Sequence, residues 1–205
     1  ACCYFQLLDA GPAQARCKPL FSAKTAALNK PRSQQAPCTI KSKNLEDSNK
    51  WFSQHIHPLP HLAIFGGGAD AVPLVRIAHE LGWQITLTDP RQGNARAEHF
   101  PQANHIYKET LSDYHQATWL KTVDASVIMH HNTHLDGDAL SLLHNSAIPY
   151  LGLLGPRHRP LQIRNAINLT EQDLTKHFAN PYGLDLGGNW PDTSAVSLTQ
   201  LEMPR

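Results

Sequence analysis

The run His61-Leu-Ala-Ile-Phe-Gly-Gly-Gly-Ala-Asp-Ala-Val-Pro-Leu74 constrains this chain more than any other segment. A short apolar stretch enters a glycine turn and leaves it as a helix. The turn reads Gly66-x-Gly68-x-x-Ala71. In this layout Gly66 permits the tight turn, Gly68 lets a ligand approach the backbone, and Ala71 lets helix and strand pack closely. Backbone N–H groups at such a helix start can face a phosphate. A second apolar run, Gln84–Thr88, ends in Asp89, about 20 positions after the turn. A carboxylate there could accept hydrogen bonds from ribose hydroxyls and would favour NAD over NADP. Arg91, two residues on, could partly reverse that preference.

Two features of the same segment point away from a dinucleotide. Gly67 adds freedom that the turn does not need, and Asp70 puts a carboxylate in the first helical turn. There it could cap the helix and use the donors a phosphate would want. The turn therefore has two readings, a phosphate cradle and a structural corner.

Beyond the turn, strand and helix patterns alternate. Strands are expected at Trp51–His57, His61–Phe65, Gln84–Thr88, Asn104–Lys108, Ala125–Met129 and Tyr150–Leu154. Helices are expected at Asp70–Leu81, Ser112–Lys121, Asp136–His144 and Pro191–Leu201. In the first of these, Ala71, Leu74, Val75, Ala78 and Leu81 form one apolar stripe, and Gly82 ends it. The pattern predicts an α/β fold: a Rossmann-like, doubly wound, mostly parallel sheet over residues 51–205, with helices on both faces. Residues 1–50 are rich in Ala, Pro, Lys, Gln, Ser and Asn. They read as an irregular N-terminal extension or the remnant of a missing domain, with a short helix near Ser22–Leu28 and a strand near Pro37–Ser42.

The chain has 205 residues and a formal net charge of +1, with no basic run, so no nucleic-acid partner is expected. No apolar stretch approaches the roughly 18–20 residues that span a bilayer, so no membrane segment is expected either. The apolar opening Ala1–Leu8 lacks a basic leader. Cys2, Cys3, Cys17 and Cys38 match no common zinc spacing and read as thiols of a reducing cytoplasm.

Three further motifs fall where open α/β sheets bind ligands. His130-His131-Asn132-x-His134, with Asp136 and Asp138, follows a strand; it reads as a polar loop with Asp136 as helix N-cap, or less simply as a metal site. Arg157 and Arg159 follow Gly155 and could grip an anion, or sit in solvent as a charged turn. Asn180-Pro-Tyr-Gly183-Leu-Asp185-Leu-Gly187-Gly188 is a second glycine-rich loop. No Ser-His-Asp or Cys-His nucleophile set is visible.

Taken in order, these blocks resemble the C-terminal domain of the XdhC/CoxI family, the xanthine dehydrogenase accessory proteins. They are Gly66–Leu74 with Leu81-Gly-Trp83; Asp89-Pro-Arg91; Phe100-Pro101; Met129–Asn132 with Asp136 and Ala139-Leu140; Tyr150–Gly155 with Arg157 and Arg159; and Pro181–Gly187 through Ser197. The likeness covers about residues 51–203. His130 departs from it, standing where a small polar residue is commoner. The family's N-terminal motifs, Gly-Ser-Ser-Pro-Arg-like and Ser-Gly-Gly-Cys-like, are not visible in residues 1–50.

The resemblance implies a cytoplasmic, non-catalytic maturation factor for a xanthine dehydrogenase-like molybdoenzyme. Such a factor holds molybdenum cofactor (molybdopterin), assists its sulfuration with a cysteine desulfurase, and passes it on; a homodimer is one self-assembly open to it, and the sequence does not set the oligomeric state. The expected cofactor contacts are Gly66, Gly68, Asp89, Arg91, His131, Asn132, Arg157 and Asp185. The competing expectation is an NAD(P)-dependent oxidoreductase or a nucleotide-binding regulatory domain.

Overall fold

Parallel strands buried on both faces favour apolar residues at nearly every position. His61–Phe65 is apolar after its first residue, Ala125–Ile128 is apolar but for Ser126, and Gln84–Thr88 instead buries Thr86 and Thr88 alongside Ile85 and Leu87. A computed structural model describes residues 15–17, 38–43, 51–56, 58–156, 158–170, 173–174, 177–179 and 191–199. The chain divides into two units, and the division nearest the parallel sheet falls between Pro58 and Leu59.

The first unit contains an antiparallel sheet of β1 (Ala15–Cys17), β2 (Cys38–Lys43) and β3 (Trp51–Ile56), in the order β1-β2-β3. The expected strand near Pro37–Ser42 is β2. The extension is therefore not wholly irregular. Ladder pairing supplies order to β1 where no sustained apolar period announces it. The pairing of β2 with β3 runs from Cys38↔Ile56 to Lys43↔Trp51, which joins Trp51–Ile56 to the first unit. The division expected at residue 51 thus falls after β3. The helix expected near Ser22–Leu28 lies outside the described residues.

The second unit is built on six parallel strands. They are β4 (His61–Phe65), β5 (Gln84–Thr88), β6 (His105–Tyr107), β7 (Ala125–Ile128), β8 (Tyr150–Leu153) and β9 (His177–Ala179). Their order is β6-β5-β4-β7-β8-β9. Counted from β4, this is the 3-2-1-4-5-6 order of the Rossmann fold, with the switch point between β4 and β7.

Side-chain alternation along the strands feeds two separate cores. Leu62 and Ile64 of β4 pack with Ile85, Leu87 and Val127 under α1 (Ala71–Glu80) and α4 (Pro191–Thr199). Ala63 and Phe65 pack on the opposite face with Ile128, Leu151 and Leu153, under α2 (Thr133–Leu143) and α3 (Arg159–Ala166). Among the described residues, no helix is long and apolar enough to cross a membrane.

Several boundaries differ from the sequence reading for identifiable reasons. α1 ends at Glu80, so Leu81 is its C-cap and lies half exposed rather than in the buried stripe. Gly82 follows at φ +73°, as a helix stop requires. The helix expected at Ser112–Lys121 is two 3-10 segments, Leu111–Gln116 and Thr118–Thr122, broken where Ala117 is extended. The break lets Trp119 stack on Tyr107 (5.5 Å between ring centroids) and meet Tyr114 edge-on (5.6 Å). Aromatic packing outweighs a marginal helix propensity there. α2 starts three residues earlier than expected, because Asn132 rather than Asp136 caps it. The Asn132 side chain accepts from the N–H groups of His134 (3.0 Å) and Leu135 (3.1 Å). α3 and β9 carry too few periodic apolar residues to be anticipated.

Phe65 is fully buried and touches the aromatic group through Trp119. Phe65→Ala should lower unfolding free energy by about 3–5 kcal/mol in urea titrations. A loss under about 1 kcal/mol would show that this face is not a packed core.

Candidate functional site

The switch point lies between the ends of β4 and β7. Both strands run on into loops tied to their neighbours. The Gly66 N–H donates to the Thr88 carbonyl (2.8 Å), and the Met129 N–H donates to the Phe65 carbonyl (2.7 Å). Gly66 has φ +126°, and a Cβ there would lie 2.6 Å from the Met129 carbonyl carbon and oxygen. Only glycine lets β7 come this close. Gly67 is equally confined, since its Cβ would lie 2.5 Å from the Ala95 nitrogen. Gly67 is therefore a steric necessity, not the surplus freedom that the sequence suggested. Gly68 is the opposite case: a Cβ there would meet nothing within 4 Å. Space for a ligand opens at Gly68.

The segment after β5 closes over the turn from one side, and Asp89 holds it. Its carboxylate is fully buried and accepts from five donors. These are the Gly67 N–H (2.8 Å), the Arg91 N–H (3.0 Å), Arg91 Nε (2.9 Å) and Nη2 (2.7 Å), and Asn94 Nδ2 (2.9 Å). Burial alone would raise this carboxyl. The Arg91 guanidinium, the Asn94 amide and the two backbone N–H groups outweigh it and hold it at about 2, below the usual 3.8. A carboxylate offers about four lone-pair sites, so none is left for a ribose. Asp89 acts inward, not as the ribose contact that its position suggested. Asn94 and Ala95 complete the strap, and Ala95 sits fully buried at φ +46°. Neither was singled out in the sequence; the turn-forming Gly93-Asn94 pair was the available signal.

Behind the β7 loop sits a second buried carboxylate. Asp136 accepts from the His130 N–H (3.0 Å), from His130 Nδ1 (3.1 Å) and from the Arg159 guanidinium through Nε (3.2 Å) and Nη2. Burial pushes Asp136 up, and the His130 and Arg159 contacts bring it below its usual value. Arg159 reaches Asp136 across Gly155, where a Cβ would strike its Cδ at 2.5 Å. Arg159 is thus a strut for the β7 loop, not the free anion anchor that its sequence position suggested.

Across the crevice, Asp70 makes no helix-capping contact. Its Oδ2 pairs with His131 Nε2 at 2.8 Å, and both side chains are partly exposed. His131 holds φ +56°, uncommon for a residue of this size. The structure thus gathers Gly66, Gly68, Asp89, Arg91, His131 and Asn132 at one edge. Of these, Gly68, Arg91 and His131 face outward, while Gly66, Asp89 and Asn132 shape the backbone. Arg157 and Asp185 lie outside the described residues. Among the described residues, no three His, Cys, Asp or Glu side chains are grouped to hold a metal.

These contacts predict an ordering. Gly66→Ala and Gly67→Ala should each cost more than about 2 kcal/mol of stability, and Gly68→Ala should cost under about 1 kcal/mol. Equal losses at all three would refute the steric assignment. The folded-state value of Asp89 lies below its unfolded one, so its contribution is complete above about pH 4. It is lost as pH falls towards about 2. The stability gap between wild type and Asp89→Asn should therefore narrow over that interval; a constant gap would exclude the buried carboxylate as its source.

A family model described as the XdhC Rossmann domain matches residues 62–199. The chain is similar to a probable xanthine dehydrogenase subunit of Bacillus subtilis (strain 168), with 28% identity over 169 residues. That likeness covers 80% of this chain and 48% of the relative. Among solved structures, it is similar to a xanthine dehydrogenase from Bacillus halodurans, with a TM-score of 0.66 and 26% identity. There the match covers 76% of this chain and 47% of the other. The chain therefore spans about half the length of these relatives. The matched residues begin within β4, end with α4, and contain the glycine turn, the Asp89 strap and the Asp136 cluster. The chain belongs to the XdhC family, and its parallel-sheet unit is the XdhC Rossmann domain.

Proposed function

We propose that this chain is a maturation factor for a molybdenum hydroxylase of the xanthine dehydrogenase type. In this reading it holds molybdenum cofactor transiently and supports sulfuration by a cysteine desulfurase. It then delivers the cofactor to the apoenzyme in the cytoplasm, working as a homodimer and catalysing no reaction of its own. The observation that carries the proposal is the match of residues 62–199 to the XdhC Rossmann domain.

The residues at the switch point fit the anionic end of that cofactor. Molybdopterin carries a phosphate, and the open space at Gly68, just ahead of α1, would suit one. Arg91 lies beside the same turn through Asp89, and its side chain stays 39% exposed. His131 lies on the other side, through Asp70. Gly68, Arg91 and His131 would hold the phosphate, while Asp70 competes with it for His131. When bound, the cofactor brings the redox-active molybdenum that the client enzyme needs. The NAD(P) oxidoreductase reading has weaker support, since every lone pair of Asp89 is engaged within the fold.

Thermal unfolding followed with molybdopterin, NAD and NADP in parallel tests the reading, because a ligand of the native state raises its melting temperature. Stabilisation by molybdopterin alone is the expected result. Stabilisation by a nicotinamide nucleotide without any response to molybdopterin would overturn it. Asp70→Asn removes the competing carboxylate and should tighten molybdopterin binding by about two- to fivefold. Unchanged affinity would take the Asp70–His131 pair out of the site.

A further inference from the structure

A second concavity lies on the same edge of the sheet, beyond the ends of β5 and β6, with α2 as its far wall. It has a volume of about 400 Å³, within the range of small-molecule pockets. Pro90 follows the Asp89 corner, and Leu111 follows β6; Leu135 and Leu142 approach from α2. These four give the cleft apolar walls. Ser141 and Asp138, also on α2, give it a polar side, and the His115 ring joins them on the lining.

Asp138 differs from the other acids of this edge. Asp89 and Asp136 are buried and saturated with donors, and Asp70 is paired with His131. Asp138 is exposed and makes no hydrogen bond or ion pair among the described residues. A free carboxylate beside an apolar slot suits one kind of ligand edge: two adjacent N–H donors, taken in parallel by its two oxygens. A 2-amino-4-oxo-pyrimidine ring carries that edge, in its ring N–H and exocyclic amino group. Guanine and pterins share it. Adenine presents one amino group next to a ring nitrogen lone pair, which repels a carboxylate. The leucine and proline walls would desolvate the faces of such a flat ring, and Ser141 and His115 can donate to its oxo group.

We propose that this cleft is a binding site for an aromatic heterocycle with a 2-amino-4-oxo-pyrimidine edge, read by Asp138. The pterin form of the proposal rests on the cofactor-handling function above; the guanine form does not. The cleft and the Gly68 opening flank the same strap, residues 90–95, so one ligand with a heterocycle and a phosphate could engage both.

The test uses the purified full chain. Pterin-6-carboxylate is titrated by its own fluorescence, and GMP and AMP by calorimetry. Either the pterin or GMP should bind at least about tenfold more tightly than AMP, and Asp138→Asn should abolish that preference. Ser141→Trp, which fills the cleft from an exposed helix position, should weaken whichever probe binds by a similar factor. Both variants should melt with the wild type. No binding of pterin or GMP at millimolar concentration overturns the proposal. So does a preference over AMP that survives Asp138→Asn. Asp138-dependent binding of GMP without pterin upholds the cleft and counts against cofactor handling. Pterin binding indifferent to both substitutions leaves cofactor handling standing and removes the cleft.

Discussion

The ligand edge of the parallel-sheet unit depends on one buried charge. A bare carboxylate inside a protein costs several kcal/mol, and Asp89 is kept there by five donors from the glycine turn and its own strap. Hydrogen bonds to a charged group contribute roughly 1.5–3 kcal/mol each, enough together to reverse the burial cost. The contacts do more than neutralise. They fix Gly67 against Ala95, aim Arg91 along the edge, and give the loop after β5 a single shape. Gly66 then sits where β7 can approach it.

The same arrangement recurs around Asp136, where a backbone N–H, an imidazole and a guanidinium supply the donors. The chain thus places carboxylates where a nucleotide-binding edge would be read for ligand contacts, and engages them internally. Around the Gly68 opening the groups that face outward are a partly exposed guanidinium, an open glycine and a partly exposed imidazole paired with the Asp70 carboxylate. Under the proposed cofactor-handling function, these partly exposed groups would hold an anionic ligand loosely and let it go. Strong, fully desolvated ion pairs with a ligand would slow release.

The fold was legible where burial imposes a pattern. β4, β5 and the core-facing residues of α1 declare themselves, because a strand covered on both faces and a helix covered on one leave different periods. α3 and β9 did not, since Arg159–Ala166 is polar on most sides and His177–Ala179 is three residues long. The candidate site was legible only as an address. Gly66, Asp89 and His131 could be placed at one edge from their positions after strands. Which way each side chain points was not in the pattern, because it depends on partners at no fixed spacing. Asn94 lies 5 residues from the Asp89 it binds, and Arg159 lies 23 from Asp136. The reading of Asp136 as a cap shows the same limit. A residue that can cap a helix can equally take a buried strut, and only the surrounding donors decide.

The strand order carries a consequence for assembly. β4 meets β5 through contacts such as Gly67 to Asp89, 22 residues apart. β4 meets β7 through contacts such as His61 to Asp124, 63 residues apart. Closing the longer loop costs more chain entropy and repays it later. The crevice between β4 and β7 is therefore the seam of the central sheet whose closure costs the most chain entropy. Before it closes, the Asp89 corner can exist, but the opposite wall with His131 cannot. A nascent or partly unfolded chain therefore lacks one wall of the crevice.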